Sequence, residues 1–286
     1  MCGLYDELAN CSPKDWGAGT EMAAHSDAFR ENFEEAFYNI VLTFNGGIPR
    51  GSALVLLEKQ RPLALYFSRF ALDSSGLDCY SRLFRSLHAA GAIQNSLFGS
   101  LNYDCLFEQA VQRCGYPIDY WSRRPESVRL AKLHCSCNFL TGELSQQDLA
   151  MLSAATAYEI GLESLPTDNL EATILRKLSD PIRRHFPIMS QTSPGKEDSL
   201  SPAQILRIRT AWAEALSTAR KLAIIGVSYN QNDKHVVDAV RATPARIFYI
   251  GGESDSEKWK ATNPNCDRIH GKFEDGLEAL LQRLID

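Results

Sequence analysis

The sequence predicts an α/β protein built on a central, mostly parallel, doubly wound sheet with helical insertions. Three segments predict it. Phe98 to Ala110 (FGSLNYDCLFEQA) is a short apolar run that meets Asn102 and Asp104 and passes at once into an amphipathic helix. Val128 to Leu133 (VRLAKL) delivers His134, and Leu222 to Ile225 (LAII) delivers Gly226, Val227 and Ser228 ahead of another helix. Short apolar strands alternating with helices are the pattern of parallel sheets. In open sheets of this kind ligands bind in the crevice beyond the carboxyl ends of the strands. The polar residues at these three ends are therefore the candidate site, and the ends are expected to converge on one pocket.

The elements follow in order. Residues 26–43 open with Ser26, carry acids in the first turns and set Phe29, Phe33, Ala36, Phe37 and Ile40 on one face, which predicts one amphipathic helix. After the turn NGGIPRG, residues 52–70 resume helical spacing, with a break or kink expected at Pro62. Helix is predicted again over 81–90, so residues 26–92 form a helical N-terminal part. Residues 143–215 are expected to be a mostly helical insertion punctuated by prolines, with QTSPGKEDS as its most loop-like stretch. From Pro202 the pattern predicts a helix to about Arg220, the strand LAIIG, a helix over 234–242, the strand RIFYI, Gly251 and Gly252, and a closing helix in GKFEDGLEALLQRLI. The whole of 1–286 is expected to form one domain.

Composition narrows the function. The chain has 286 residues, 44% of them hydrophobic, which is enough for a substantial core. Its net charge of -5, without a clustered basic face, argues against direct nucleic-acid binding. No run of about 20 apolar residues is present, so no membrane partner is expected. The start MCGLYDELANCSPKDW lacks the basic and apolar regions of a secretory signal, and a cytoplasmic location is the expectation. The cysteines at 2, 11, 79, 105, 114, 135, 137 and 266 include no C-x-x-C pair and read as reduced thiols. A zinc site from Cys105, Cys114, Cys135 and Cys137 fits poorly with the short gaps structural zinc prefers, so no metal is expected.

The motifs SLNYD, KLHCS and IIGVSYNQND, in that order, resemble the three spaced motifs of sirtuin-like domains. The branch they resemble is that of bacterial NAD-degrading defence proteins rather than the protein-deacylating sirtuins, whose two zinc-holding C-x-x-C pairs are missing here. That family reads T-x-N-Y-D, K-L-H-G-S and I-G-Y-S followed by an acid, and opens with a strand and G-A-G-x-S. The likeness spans roughly residues 95–285. It implies a Rossmann-like fold, NAD as substrate, hydrolysis to nicotinamide and ADP-ribose, and a role in antiphage (antiviral) defence. Control by self-association into a homo-oligomer, or by a regulatory protein partner, is implied as well.

The resemblance gives Asn102 the task of orienting water or the ribose hydroxyls, which an amide suits because it donates and accepts at once. It places the catalytic histidine at His134, whose imidazole titrates near neutrality; a structurally bonded histidine is the other reading. Asp104 binds a ribose hydroxyl or caps the helix that follows. Gly226 and Ser228 let backbone and a hydroxyl approach ribose or phosphate, or simply form a tight turn. Asp233 caps a helix or supplies the family's acid, and Gly251 stands where the family's last parallel strand meets the adenosine. Tyr116, Tyr120 and Trp121 read as core or pocket wall. Two positions depart from the family pattern. Cys135 stands where it has glycine, and Gly17 and Gly19 sit in a G-A-G that follows SPKDW instead of a strand. The alternative is an inactive NAD or ADP-ribose-binding module, or one that assembles with a partner.

Overall fold

The computed structural model describes residues 3–37, 39–40, 51–120, 124, 126–156, 162–167, 170–180, 184–190 and 202–286. The amino-terminal elements are α1 (Leu4–Cys11), α2 (Pro13–Trp16), α3 (Glu21–Ala24), α4 (Ser26–Glu31), α5 (Phe33–Phe37), α6 (Ser52–Phe67) and α7 (Cys79–Ala89). Next come β1 (Phe98–Ser100), α8 (Leu106–Arg113), β2 (Ile118–Asp119), β3 (Val128–Lys132) and β4 (Cys135–Thr141). They are followed by α9 (Gln146–Ala154), β5 (Ser164–Pro166), α10 (Leu170–Ser179), β6 (Pro187–Met189) and α11 (Pro202–Thr218). The chain ends with β7 (Lys221–Ile225), α12 (Lys234–Ala242), β8 (Arg246–Ile250), α13 (Glu253–Thr262), β9 (Cys266–Ile269) and α14 (Phe273–Ile285). This is a mixed α/β architecture whose sheets are small and mostly parallel. Among the described residues no helix is long and apolar enough to cross a membrane.

The chain packs as two compact units. The first comprises Met1–Ala71, Asn102–Cys105 and His134–Ile205, and the second Leu72–Leu101, Leu106–Leu133 and Leu206–Asp286. In the first unit an antiparallel sheet of order β5-β4-β6 carries α6 against β4 and β6. Gln60 of α6 fixes this packing, donating from Nε2 to the Met189 carbonyl at 2.6 Å and accepting the Met189 N–H at 3.4 Å. The amino-terminal helices close over Tyr5, Trp16, Phe29, Phe33 and Phe37, whose ring centroids lie 5.2 to 6.3 Å apart. Such aromatic pairs add to the burial of their area.

The second unit holds two parallel sheets, β1-β3-β2 and β7-β8-β9. In the latter, α12 and α13 are the crossovers, and α14 packs on all three strands. Its core is Phe248, Ile250, Ile269 and Leu280 with Ala223, Ile225, Phe273 and Leu284 around it. In the former, Gly99 of β1 has no room for a side chain: an added Cβ would come within 2.7 Å of the Trp212 ring of α11.

Four local expectations change. The helix predicted over 26–43 is two helices, because Asn32 is extended and its Oδ1 accepts the Glu35 N–H at 3.3 Å, starting α5 afresh; residues 38 and 41–43 lie outside the described residues, as do 45–50 of NGGIPRG. Helix α6 runs through Pro62, whose intrinsic cost of about 3 kcal/mol is offset by a face buried at Ala53, Leu56, Leu57, Leu63 and Ala64. The stretch 143–215 adds β5 and β6 to its helices, and QTSPGKEDS lies outside the described residues. Among the described residues the strands pair as three sheets of three, two parallel and one antiparallel, where the sequence predicts a single central sheet.

One charge pair fixes the ends of β1 and β3. Lys132 closes β3 with its side chain 1% exposed, and its Nζ lies 3.3 Å from Oε1 of Glu108 on α8, whose side chain is fully buried. The same Nζ reaches Ser100 Oγ at 3.4 Å across the pairing of Ser100 with Lys132. A buried charge stripped of its partner costs several kcal/mol, whereas a shape-matched apolar pair does not. Urea denaturation is therefore expected to show Lys132→Met destabilised by about 3–5 kcal/mol, and Lys132→Met/Glu108→Leu restored by at least half of that. Equal loss in the single and double variants would show that the pair contributes no coupling.

Candidate functional site

Asn102 and His134 follow directly on the neighbouring strands β1 and β3, each two residues past the paired Ser100 and Lys132. Both belong to the first unit, where their two segments run side by side. The Tyr103 carbonyl accepts the Cys137 N–H at 2.9 Å and the Ser136 hydroxyl at 2.8 Å, and that hydroxyl also reaches the Asp104 carbonyl at 3.2 Å. The Tyr103 ring stands 6.3 Å from the His134 imidazole, tilted by 37°. Asn102 is exposed, Asp104 half-buried and His134 3% exposed. The two segments carry a surface amide, a group able to orient water, and a buried imidazole, a group able to exchange a proton.

Ser190 joins the two segments. Its N–H donates to the His134 carbonyl at 2.8 Å, and its own carbonyl accepts the Tyr103 hydroxyl at 2.5 Å. Sequence reasoning did not single out this residue. Both contacts use its backbone, so no side-chain pattern could have marked it.

Cys135 sits at φ 55°, in the left-handed region that an L residue enters at a cost of about 1–2 kcal/mol and glycine enters freely. This is the position at which the resembled motif has glycine. A buried thiol thus occupies a turn that glycine would make without strain.

In the second unit the register aligns Ile225 with Ile250 and Ile250 with Ile269. Gly226, Gly251 and the exposed His270 thus follow the carboxyl ends of three adjacent parallel strands. His270 was not foreseen, since CDRIH lacks the apolar run that marked the other strands. Gly226 has φ 65° and donates its N–H to the Ile250 carbonyl at 2.8 Å, with open space where a Cβ would stand. At Gly251 a Cβ would overlap the Tyr249 hydroxyl. Burial raises the Tyr249 phenol above its ordinary pKa, and nearby Asp255 adds to the effect, so the hydroxyl keeps its proton.

The loop after β7 is held at both flanks of the exposed Ser228. Trp259 Nε1 donates to the Val227 carbonyl at 3.2 Å, and the Tyr229 N–H donates to Asp255 Oδ1 at 3.1 Å. Asp233 occupies the position before α12, where its carbonyl accepts the N–H groups of Val236 and Val237. Its buried carboxylate makes no capping bond, so the cap reading does not describe its side chain. Gly17 and Gly19 lie between α2 and α3, where the Thr20 hydroxyl donates to the Gly17 carbonyl at 2.8 Å and accepts the Ala23 N–H at 3.2 Å. This is a helix-to-helix connection, and the described residues before β1 contain no strand. Tyr120 is buried, and Trp121 lies outside the described residues.

The sequence matches no protein-family model, and no curated protein is significantly similar to it.

The left-handed turn at residue 135 generates a substitution series. Cys135→Gly relieves backbone strain but loses a buried thiol and gains unfolded-state freedom, so its stability is expected within about 1 kcal/mol of the parent. A β-branched residue there meets strain and crowding together, and Cys135→Val is expected to lose about 2 kcal/mol or more. Urea midpoints for the two variants decide the matter, and a harmless Cys135→Val would contradict the strained turn.

Proposed function

We propose that the chain is a divergent sirtuin-like domain of Rossmann-like type that hydrolyses NAD to nicotinamide and ADP-ribose. The observation that carries this reading is the pairing of Asn102-Tyr103-Asp104 with His134-Cys135-Ser136, with residue 135 in the conformation natural to the glycine of the resembled motif. Breaking the nicotinamide–ribose bond needs little covalent help, because nicotinamide leaves as a neutral molecule from a cationic precursor through an oxocarbenium-like transition state. In this reading Asn102 orients the attacking water or the ribose hydroxyls. His134 takes the proton that water loses on adding to the anomeric carbon, and Asp104 bonds a ribose hydroxyl. In the second unit, Gly226, Ser228 and Gly251 stand at the strand ends where parallel sheets bind ligands, with Asp233 as the acid that follows. A cytoplasmic defence role and control by self-association or a regulatory partner belong to this proposal through the resemblance alone.

A second reading, NAD or ADP-ribose binding without turnover, is favoured by one observation: Gly17 and Gly19 lie in a helix-to-helix turn rather than after a strand.

The test is NAD loss and nicotinamide release by the purified protein. Asn102→Ala, an exposed substitution, is expected to lower turnover by about 100-fold or more with Tm unchanged, and buried His134→Ala to lower turnover as much with a reduced Tm. Wild type that consumes no NAD yet binds ADP-ribose, with binding lost in Gly251→Val, would establish the second reading instead.

A further inference from the structure

We infer that Cys105 and Cys137 are a peroxide-oxidisable thiol pair that closes reversibly to a disulfide within the first unit. Their Sγ atoms lie 3.6 Å apart, both side chains are buried, and the Ser136 hydroxyl is 3.8 Å from Cys105 Sγ. A disulfide requires about 2.05 Å between the sulfurs, so the contraction is about 1.5 Å and lies within the reach of side-chain torsions. The backbone already holds the two residues face to face, because the Cys137 N–H and the Ser136 hydroxyl both bond the Tyr103 carbonyl two residues before Cys105.

The placement sets this pair apart from the other thiols. Cys105 comes three residues after Asn102 and Cys137 three residues after His134. Cys105 lies between β1 and α8 in a stretch without helix or strand, flanked by half-buried Asp104 and Leu106. Local opening of such a stretch admits a small uncharged oxidant without global unfolding. Cys11 is exposed and Cys79 and Cys114 are half-buried, so they meet oxidant directly.

The chemistry balances with hydrogen peroxide as the two-electron oxidant. The thiolate of one cysteine attacks a peroxide oxygen, the O–O bond breaks, and a sulfenic acid forms with loss of water once the leaving hydroxide is protonated. The second sulfur then attacks that sulfenic sulfur, the S–S bond forms, the S–O bond breaks and a second water leaves. Two thiols and one peroxide thus give one disulfide and two waters. The second step is intramolecular and outruns competing reactions at the scattered thiols. A dithiol reductant reverses it by thiol–disulfide exchange.

The test is peptide mapping of the full chain without reduction after treatment with hydrogen peroxide, fragmenting the peptide that holds both Cys135 and Cys137 to assign the linked sulfur. A Cys105–Cys137 bridge that disappears with dithiothreitol, with a Tm that rises on oxidation and falls back on reduction, is expected. Cys105→Ser and Cys137→Ser should each abolish the bridge and the Tm rise. Recovery of both cysteines as thiols or as sulfinic acids, or linkage of Cys105 to Cys135 or Cys114, would overturn the inference. The readout is covalent linkage in the wild-type chain. It therefore stands even if NAD is never consumed and does not depend on either serine variant folding.

Discussion

The charge pair between Lys132 and Glu108 has no solvent around it, and the ends of β1 and β3 depend on it. A lysine so deeply buried is tolerated only when its charge is answered nearby, and here the answer comes from a helix that begins just after the strand it neighbours. Strand β1, helix α8 and strand β3 are locked at one point, and Ser100 adds a weak third contact. Asn102 and His134 leave those strand ends after two residues. The buried ion pair therefore helps to set where both segments start.

Strands β3, β7 and β8 and helix α12 were legible because their apolar runs and periodicities are local properties of the chain. The motif residues were legible because they stand where those runs end. Strand β4 was not. Its sequence, CSCNFLT, has no alternation and mixes thiols, hydroxyls and an amide, yet all seven residues are buried. A strand covered on both faces carries no period-two signal, and β5 and β6 exist only because they pair with it. The break at Asn32 and the passage of α6 through Pro62 failed for opposite reasons. In one case a single side chain overrode the periodicity, and in the other tertiary burial overrode propensity. Ser190 was invisible because both of its bonds are made by main-chain groups.

Residue 135 shows a side chain held in a turn that suits glycine better. A cysteine holds a torsion that glycine would adopt without strain, and it does so beside the buried histidine. Strain of this size persists only where the surroundings over-determine the backbone. Here the surroundings are the His134 carbonyl bonded to Ser190 on one side and Ser136 bonded to Tyr103 on the other.

The two compact units are interleaved along the chain, with crossings after residues 71, 101, 105, 133 and 205. A ribosome emitting this chain delivers the first piece of one unit, then one helix and one strand of the other, then four residues that belong back with the first. The first unit cannot close before residue 205 has emerged, nor the second before its strand β9 follows, so much of the long-range pairing comes late in synthesis. No stop before residue 205 leaves either unit whole, because both draw on segments that come later.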